Sequence, residues 1–399
     1  MLRCDSKIGI FLLSCEHFIA DFYGNFLPVL LPVIMVQLGM SLTMCGMLVM
    51  VMSLASNLIQ PFLGYFVDRH NCSWILLVAI PLSGLLVSMF GYVPNQPLLF
   101  ILCALLGSMV AVMHPVGTTL LGKVSSYRNL GKSMSFYIVG GNIGFAIAPV
   151  IVTAILAAYD IKYLPVMAIP GIALALGMYF VKMHTLSTAN EKARDRNSDE
   201  SMKLGEIFKN RSVLKINLAM GMRCWTHVAV TMFLPMLLIE QGYSKMMSGT
   251  LLGIFLIGSA AGGLLGGVLG DKFMHKRIMI YFLALGVVPI IFFFTQPVGS
   301  VISTVALFLG GACLQAPQPS SIVWTGKLMP RYIGVASGMM MGLCFAIGSV
   351  GAAVTAAMGD YIGLHTAMLL SAVPMLAGAM LLIFIPYPQF GFWSIVNLN

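Results

Sequence analysis

Charged side chains are scarce in this chain. Only 9% of its 399 residues are Asp, Glu, Lys or Arg, whereas 59% are hydrophobic and the mean hydropathy is +0.94. A soluble domain carries about a quarter charged residues. The deficit excludes a soluble globular domain and indicates an integral membrane protein.

Paired cysteines and clustered metal ligands are also missing. The eight cysteines are scattered, with no C-x-x-C pair and no histidine at zinc-site spacing, so we expect neither a disulfide framework nor a metal site. The 31 methionines lack the repeated Met-x-x-Met clusters of a copper channel, and we interpret them as packing residues. No nucleophile, metal cluster or nucleotide loop stands out, which disfavours an enzyme, and we expect no cofactor.

Long apolar runs fill most of the chain, and twelve of them are long enough to cross a bilayer of about 30 Å. We call them spans 1 to 12, with predicted limits 8–38, 44–67, 74–92, 97–122, 132–157, 163–182, 213–240, 246–269, 277–295, 298–325, 333–358 and 364–386. Leu12-Leu13-Ser14-Cys15 is similar to a lipoprotein cleavage site, but the apolar run continues to Val36, so we expect an uncleaved first span.

One polar segment divides the spans into two groups of six. Residues 183–212 are too polar to bury a core, so we interpret them as a linker between a bundle over 1–182 and a bundle over 213–399. All but three of the 22 Lys and Arg residues fall at the linker side of the spans. This asymmetry predicts that both termini and the linker are cytoplasmic, and it explains the net charge of +9 without nucleic acid.

The two halves of the chain repeat each other at an offset of about 205 residues. The sequence 64–69 after span 2 returns as 267–272 after span 8, and His114-Pro115 in span 4 corresponds to Gln318-Pro319 in span 10. Such a repeat predicts two pseudo-symmetric bundles with a substrate site between them at mid-depth.

These repeated loops resemble the loop motif G-x-x-x-D-[RK] of the major facilitator superfamily. The motif residues are Gly64, Asp68, Arg69, Gly267, Asp271 and Lys272. The resemblance implies the all-helical major facilitator fold and alternating access, with these loops taking part in gating.

Within that superfamily the chain resembles the fosmidomycin-resistance family of efflux proteins. The matching segments are His17-x-x-x-Asp21, Leu58 to Tyr65, His114 to Gly117, Gly140 to Phe145, Arg223-Cys224-Trp225 and Gly334 to Gly338. This resemblance implies a proton-driven exporter of small molecules.

Three ionisable residues fall inside span 1, where an isolated charge is costly. His17 and Asp21 are one helical turn apart and share a face with Asn25, whereas Glu16 lies about 100° from His17. A proton-coupled transporter needs a group that gains a proton in one facing state and loses it in the other. Asp21 is our first candidate, with His17 and Glu16 as helpers; the alternative is a hydrogen-bonded pair that only ties span 1 to a neighbour.

Further polar residues inside the spans are candidates for substrate binding. Arg223 needs an anionic partner inside the membrane. The alternatives are Asp21 or Glu16 when the cavity is empty, an anionic substrate when it is full, or a permanent salt bridge between the halves. His114 is a candidate substrate contact or part of a helix bend. The remaining candidates are His227, Asn25, Tyr137, Trp225, Gln318 and Asn142, although Gly140 to Gly144 around Asn142 also fit close helix packing.

We therefore predict a monomeric antiporter that moves protons inward and a small, anionic or amphipathic compound outward. A proton symporter that takes up an organic acid through Arg223 is the first alternative. A channel or a sensor on the same scaffold is the second.

Overall fold

The computed structural model describes residues 6–125, 130–189, 210–329 and 339–387. Its described part is all-helical, and eleven helical segments are long and apolar enough to cross a membrane. The predicted all-α membrane fold is thereby confirmed. The α-helices are Lys7–Gly24, Leu27–Leu38, Leu42–Ser53, Gln60–Arg69, Ile75–Met89, Gln96–Val124, Leu130–Ala158, Ala168–Phe180, Arg211–Glu240, Lys245–Lys272, His275–Thr295, Val301–Gln315, Pro317–Leu328, Cys344–Ile362, Leu364–Leu370 and Val373–Ile383.

Among the described residues, span 2 is the one predicted span whose apolar helix is too short to count as membrane-crossing. Its apolar part, Leu42–Leu58, ends in a π-helical turn over Leu54–Leu58, and a separate helix follows over Gln60–Arg69. The side-chain amides of Asn57 and Gln60 donate to the main-chain carbonyls of Ser53 and Ser56. A π-helical turn disturbs the regular main-chain hydrogen bonds, and these side chains supply substitutes inside the membrane.

Spans 1 and 10 are each broken, although both were predicted as continuous helices. Span 1 breaks at Asn25 and Phe26, just before Pro28, and span 10 breaks at Ala316, just before Pro317. Proline removes a main-chain donor and clashes with the preceding turn, so each helix restarts with the proline in its first turn. Span 4, in contrast, runs unbroken through Pro115.

A glycine contact between two helices in the first half of the chain recurs in the second half. A Cβ on Gly107 of span 4 would lie 2.6 Å from the carbonyl oxygen of Met52 and 3.2 Å from the nitrogen of Ser56 in span 2. Gly311 of span 10 meets Phe255 and Ser259 of span 8 in the same way. The matched partners are 203 or 204 positions apart, the offset seen in the sequence repeat.

Spans 2 and 11, from opposite halves, are joined at one end of the molecule. We call this the far end, and it holds the turns after spans 1, 3, 5, 7, 9 and 11. The opposite end, where the linker attaches, is called the linker end. At the far end, Leu42 and Thr43 donate main-chain N–H groups to the carboxylate of Asp360 at 2.9 and 2.8 Å. Gly46 of span 2 packs against Ala353 and Ala356 of span 11. The two halves are therefore in direct contact at the far end.

Candidate functional site

Asp21 lies between two histidines from different spans. Its Oδ2 is 3.4 Å from Nε2 of His17, one turn earlier in span 1, and its Oδ1 is 3.5 Å from Nε2 of His114 in span 4. The side chains of His17, Asp21 and His114 retain 14%, 22% and 23% of their exposure. The carboxylate therefore has two imidazole neighbours and is partly exposed.

A main-chain contact determines which ring nitrogen of His17 carries a hydrogen. Its Nδ1 lies 2.9 Å from the main-chain oxygen of Tyr137, and a carbonyl oxygen only accepts, so Nδ1 carries a hydrogen. In neutral His17, Nε2 then carries a lone pair that points toward Asp21. This lone pair and an ionised carboxylate would repel each other. A proton shared between Nε2 and the carboxylate removes this conflict.

Tyr137 also connects this cluster to Glu16. The tyrosine ring stacks on the His17 ring at 4.2 Å between centroids, and its hydroxyl donates to Glu16 Oε2 at 3.2 Å. Glu16 is fully buried, and its Oε1 has no hydrogen-bond partner. Glu16 therefore points away from the exposed side of the cluster, as its 100° offset from His17 suggested.

Span 5 presents glycine to the cluster because nothing larger fits. A Cβ on Gly141 would lie 2.6 Å from both Asp21 Oδ2 and His17 Nε2. Span 5 thus closes directly over the pair, in line with the close packing expected for Gly140 to Gly144. Asn142, at the next position, is exposed and lies about 100° further around the helix.

The same three residues form the one described group whose spacing also suits a small cation. The ligand atoms of His17, Asp21 and His114 all lie within 4.8 Å of one another. No local spacing pattern could indicate this group, because His114 is 93 positions from Asp21 and only the fold brings them together.

In the second half of the chain, Arg223 is fully buried and surrounded by neutral acceptors. Its Nη1 donates to Leu314 O and Gln315 Oε1, both at 2.7 Å. Its Nη2 donates to Gln318 Oε1 and Cys224 Sγ, both at 2.9 Å. Among the described carboxylates, none is within ion-pair distance of Arg223. A salt bridge to Asp21 or Glu16, one of the alternatives for Arg223, is absent from this part of the structure.

Three other candidate residues are held by local contacts. Asn25 is buried and its amide donates to Phe145 O, and Trp225 donates to the Thr355 hydroxyl at 2.8 Å. His227 is packed beside Phe255 and 3.5 Å from the Ser259 hydroxyl. These contacts give each side chain a local structural partner.

The loop motif is only partly covered. Lys272 is exposed at the linker end, and Gly267 faces Pro319 of span 10. The side chains of Asp68, Arg69 and Asp271, and the surroundings of Gly64, lie outside the described part of the structure.

Sequence reasoning overlooked two features near these residues. One is the polar turn of span 2 with Ser53, Ser56, Asn57 and Gln60, all of them half-buried; the other is Gln315, which contacts Arg223. Asparagine and glutamine inside apolar runs were the available signal, since amides are costly in a membrane unless they have partners.

Comparisons with known proteins agree with this architecture. The family model described as Major Facilitator Superfamily matches residues 13–353. The chain is 26% identical to the fosmidomycin resistance protein of Escherichia coli (strain K12), covering 94% of this chain and 91% of that protein. It is 25% identical to the uncharacterised transporter YfnC of Bacillus subtilis (strain 168), covering 88% and 87%. The crystal structure of the nucleoside transporter NupG superposes with a TM-score of 0.75 at 15% identity, covering 94% and 98%.

The comparisons confirm both resemblances seen in the sequence. The family model spans nearly the whole chain, and the relatives are multi-pass membrane transporters of small molecules rather than enzymes. The chain belongs to the Major Facilitator Superfamily.

Proposed function

We propose that this protein is a proton-driven exporter of the bacterial inner membrane with cytoplasmic termini. It exchanges protons moving inward for a small organic compound moving outward. The observation that carries the proposal is the carboxylate of Asp21 held between His17 and His114. A carboxylate with two titratable partners inside a membrane span is a ready proton-binding site.

The geometry suggests how the proton is held. Tyr137 fixes the Nδ1 hydrogen of His17, so the added proton lies between His17 Nε2 and Asp21. His114 contacts the other carboxylate oxygen and can take up or return a proton there. The titratable groups around Asp21 are thus His17 on the same span, His114 on span 4 and, beyond Tyr137 of span 5, Glu16.

Proton and substrate are coupled if they exclude each other. With the cluster protonated, its net charge near Asp21 is more positive by one unit than when the proton has left. A substrate that interacts well with only one of these two states shifts the facing equilibrium, whereas equal interaction would shift nothing. Release of substrate and protonation of Asp21 then occur in the same facing state.

Export is favoured because one relative is named a fosmidomycin resistance protein. Fosmidomycin is therefore the first compound to test with this chain. Arg223, His227, His114, Trp225 and Gln318 are the proposed substrate residues. Tyr137, Asn25 and Asn142 complete the proposed set.

Uptake of an organic acid is the second candidate. It is favoured by one observation, the buried cation of Arg223 without a carboxylate partner among the described residues. The direction of the pH change separates the two: for substrate leaving a vesicle, antiport acidifies the lumen and symport makes it more alkaline.

The proposal is tested by drug accumulation in cells. Cells expressing the wild type are expected to accumulate less fosmidomycin at external pH 6 than at pH 8, because the inward proton gradient is steeper. Asp21→Asn is expected to remove both the export and its pH dependence. The control is Asp160→Asn, which changes an exposed carboxylate at the far end. Equal, pH-dependent export by Asp21→Asn would reject the proton role of Asp21.

A further inference from the structure

The side chains around Asp21 match the coordination preferences of one class of metal ion. Two neutral imidazoles and one carboxylate are the protein ligands of open zinc sites, in which a water molecule fills the fourth position. Mg²⁺ and Ca²⁺ select oxygen ligands instead. His17, Asp21 and His114 therefore offer a donor set for Zn²⁺ or a similar transition-metal ion.

The distances within this cluster are those of a coordination shell. Zinc lies about 2.0–2.2 Å from nitrogen and oxygen ligands, so neighbouring ligands of a tetrahedral site are about 3.3–3.6 Å apart. The Nε2 atoms of His17 and His114 lie 3.4 and 3.5 Å from the two carboxylate oxygens of Asp21. All three ligand atoms are within 4.8 Å of one another, so small side-chain movements bring them into contact with one ion.

His17 is already oriented as a metal ligand. Histidines that bind a metal usually donate the N–H of the other ring nitrogen to a carbonyl or carboxylate oxygen, which directs the free lone pair at the ion. Nδ1 of His17 is 2.9 Å from the main-chain oxygen of Tyr137, and the Tyr137 ring stacks on the imidazole at 4.2 Å between centroids. These two contacts hold Nε2 toward Asp21 without any contribution from a metal.

The helices that carry the ligands are packed together within one half of the chain. His17 and Asp21 are four positions apart on one helical face, which is also the spacing of the two zinc ligands in an H-E-x-x-H helix. His114 belongs to span 4, and a Cβ on Gly24 of span 1 would lie 3.8 Å from Val110 of span 4. The ligand set is therefore complete without any residue of the other half.

The cluster is also open enough for an ion to enter. The side chains of His17, Asp21 and His114 keep part of their exposure, which leaves room for water as the remaining ligand. Glu16, the other carboxyl group of span 1, is fully buried and accepts a hydrogen bond from Tyr137. Glu16 is therefore not part of the ligand set.

We propose that His17, Asp21 and His114 form a binding site for a divalent transition-metal ion, with Zn²⁺ as the expected occupant. Bound Zn²⁺ uses the Nε2 lone pair of His17 and the Asp21 carboxylate, the groups that hold the coupling proton in the proposed function. The ion and the proton therefore exclude each other at this site. This last consequence rests on the proposed function, whereas metal binding itself does not.

Isothermal titration calorimetry with the purified full chain tests the site. The protein carries no polyhistidine tag, is held in nanodiscs of phosphatidylcholine and is titrated with zinc chloride at pH 7 without a pH gradient. We expect one Zn²⁺ per chain with a Kd of about 10 μM or lower. Mg²⁺ is expected to bind at least about tenfold more weakly, because two of the three ligands are imidazoles.

Three single substitutions and one control locate the ion. His17→Asn, Asp21→Asn and His114→Asn each remove one ligand, and each is expected to weaken Zn²⁺ binding by about tenfold or more. His70→Asn removes an exposed histidine at the linker end and is expected to bind Zn²⁺ as the wild type does. Zn²⁺ should raise the thermal unfolding midpoint of the wild type and of His70→Asn by more than that of the three ligand variants.

The site is overturned if the wild type binds no Zn²⁺, if Mg²⁺ binds equally well, or if the ligand variants bind Zn²⁺ as tightly as the wild type. A variant that does not fold lacks an unfolding transition without metal, and the remaining ligand variants then decide. Because neither a gradient nor a drug is involved, a negative result leaves proton-driven export untouched. Failure of the pH-dependent export assay would in turn leave the binding result standing.

Discussion

His17 Nε2 lies 3.4 Å from Asp21 Oδ2, and the opposite nitrogen of His17 is committed to the carbonyl of Tyr137. The imidazole thus has one nitrogen with a structural contact and one that faces the carboxylate. In the proposed function the coupling proton is held on that second side. Substitution of His17 can therefore test the two nitrogens separately.

His17→Asn is expected to keep the fold but lose most proton-driven export. The asparagine amide nitrogen can replace Nδ1 as donor to Tyr137 O, while nothing replaces Nε2 beside Asp21. We expect export at pH 6 to fall at least about tenfold, the usual scale for losing a positioned proton-transfer group. Export should be measured alongside the yield of monodisperse protein. Export at the wild-type rate with wild-type pH dependence would contradict the role of Nε2.

Gly141→Ala tests whether span 5 closes directly over the pair. The new Cβ would lie 2.6 Å from both Asp21 Oδ2 and His17 Nε2, so one of them must move. We expect a strong loss of export with the protein still in the membrane. Gly122→Ala is the control, because that helical glycine has no atom near its Cβ and alanine should stabilise it by up to about 1 kcal/mol. Similar export by both variants would contradict the close approach.

Tyr137→Phe separates Glu16 from the coupling site. The change removes the hydroxyl that donates to Glu16 Oε2 but keeps the ring stacked on His17 and the carbonyl that accepts from it. We expect the protein to be destabilised by about 1–3 kcal/mol, because a buried carboxyl oxygen loses its partner. The thermal unfolding midpoint should fall while the pH dependence of export stays. A changed pH profile at unchanged stability would instead assign Glu16 to the proton path.

Asp360→Asn should loosen the far end. The Asp360 carboxylate accepts hydrogen bonds from Leu42 and Thr43 of the opposite half, and a neutral amide accepts them less strongly. A weakening of about 1–2 kcal/mol shifts the ratio of open to closed far ends by about tenfold. Spin labels at Tyr159 and Val301, exposed far-end positions in the two halves, should report longer distances. Asp160→Asn is the control, and unchanged distances in Asp360→Asn would show that this contact does not hold the far end closed.

Local patterns were enough to predict several features. The apolar runs predicted the spans, and the four-residue spacing put His17 and Asp21 on one face of a helix. The break in span 1 and the π-helical turn in span 2 were not predicted. The break depends on a proline that removes a main-chain hydrogen bond, and the turn depends on asparagine and glutamine side chains that replace such bonds. Apolar periodicity does not contain this information.

The site was harder to predict because its contacts join segments that are distant in the sequence. His114 was assigned to substrate, yet it contacts Asp21 across 93 positions of sequence. A carboxylate partner was one alternative for Arg223, yet its guanidinium donates to Gln315, which the sequence analysis did not single out, and to Gln318. The chemistry of single residues indicated candidates, whereas their contact partners depend on how the spans pack together.

Proton movement in proteoliposomes tests the central claim most directly. Vesicles containing the protein and a trapped pH-sensitive dye are loaded with fosmidomycin and diluted into drug-free buffer at equal pH. The account predicts that drug efflux acidifies the lumen with the wild type, and that Asp21→Asn abolishes this acidification. A lumen that acidifies at the wild-type rate with Asp21→Asn, or drug efflux by the wild type without any pH change, would contradict it.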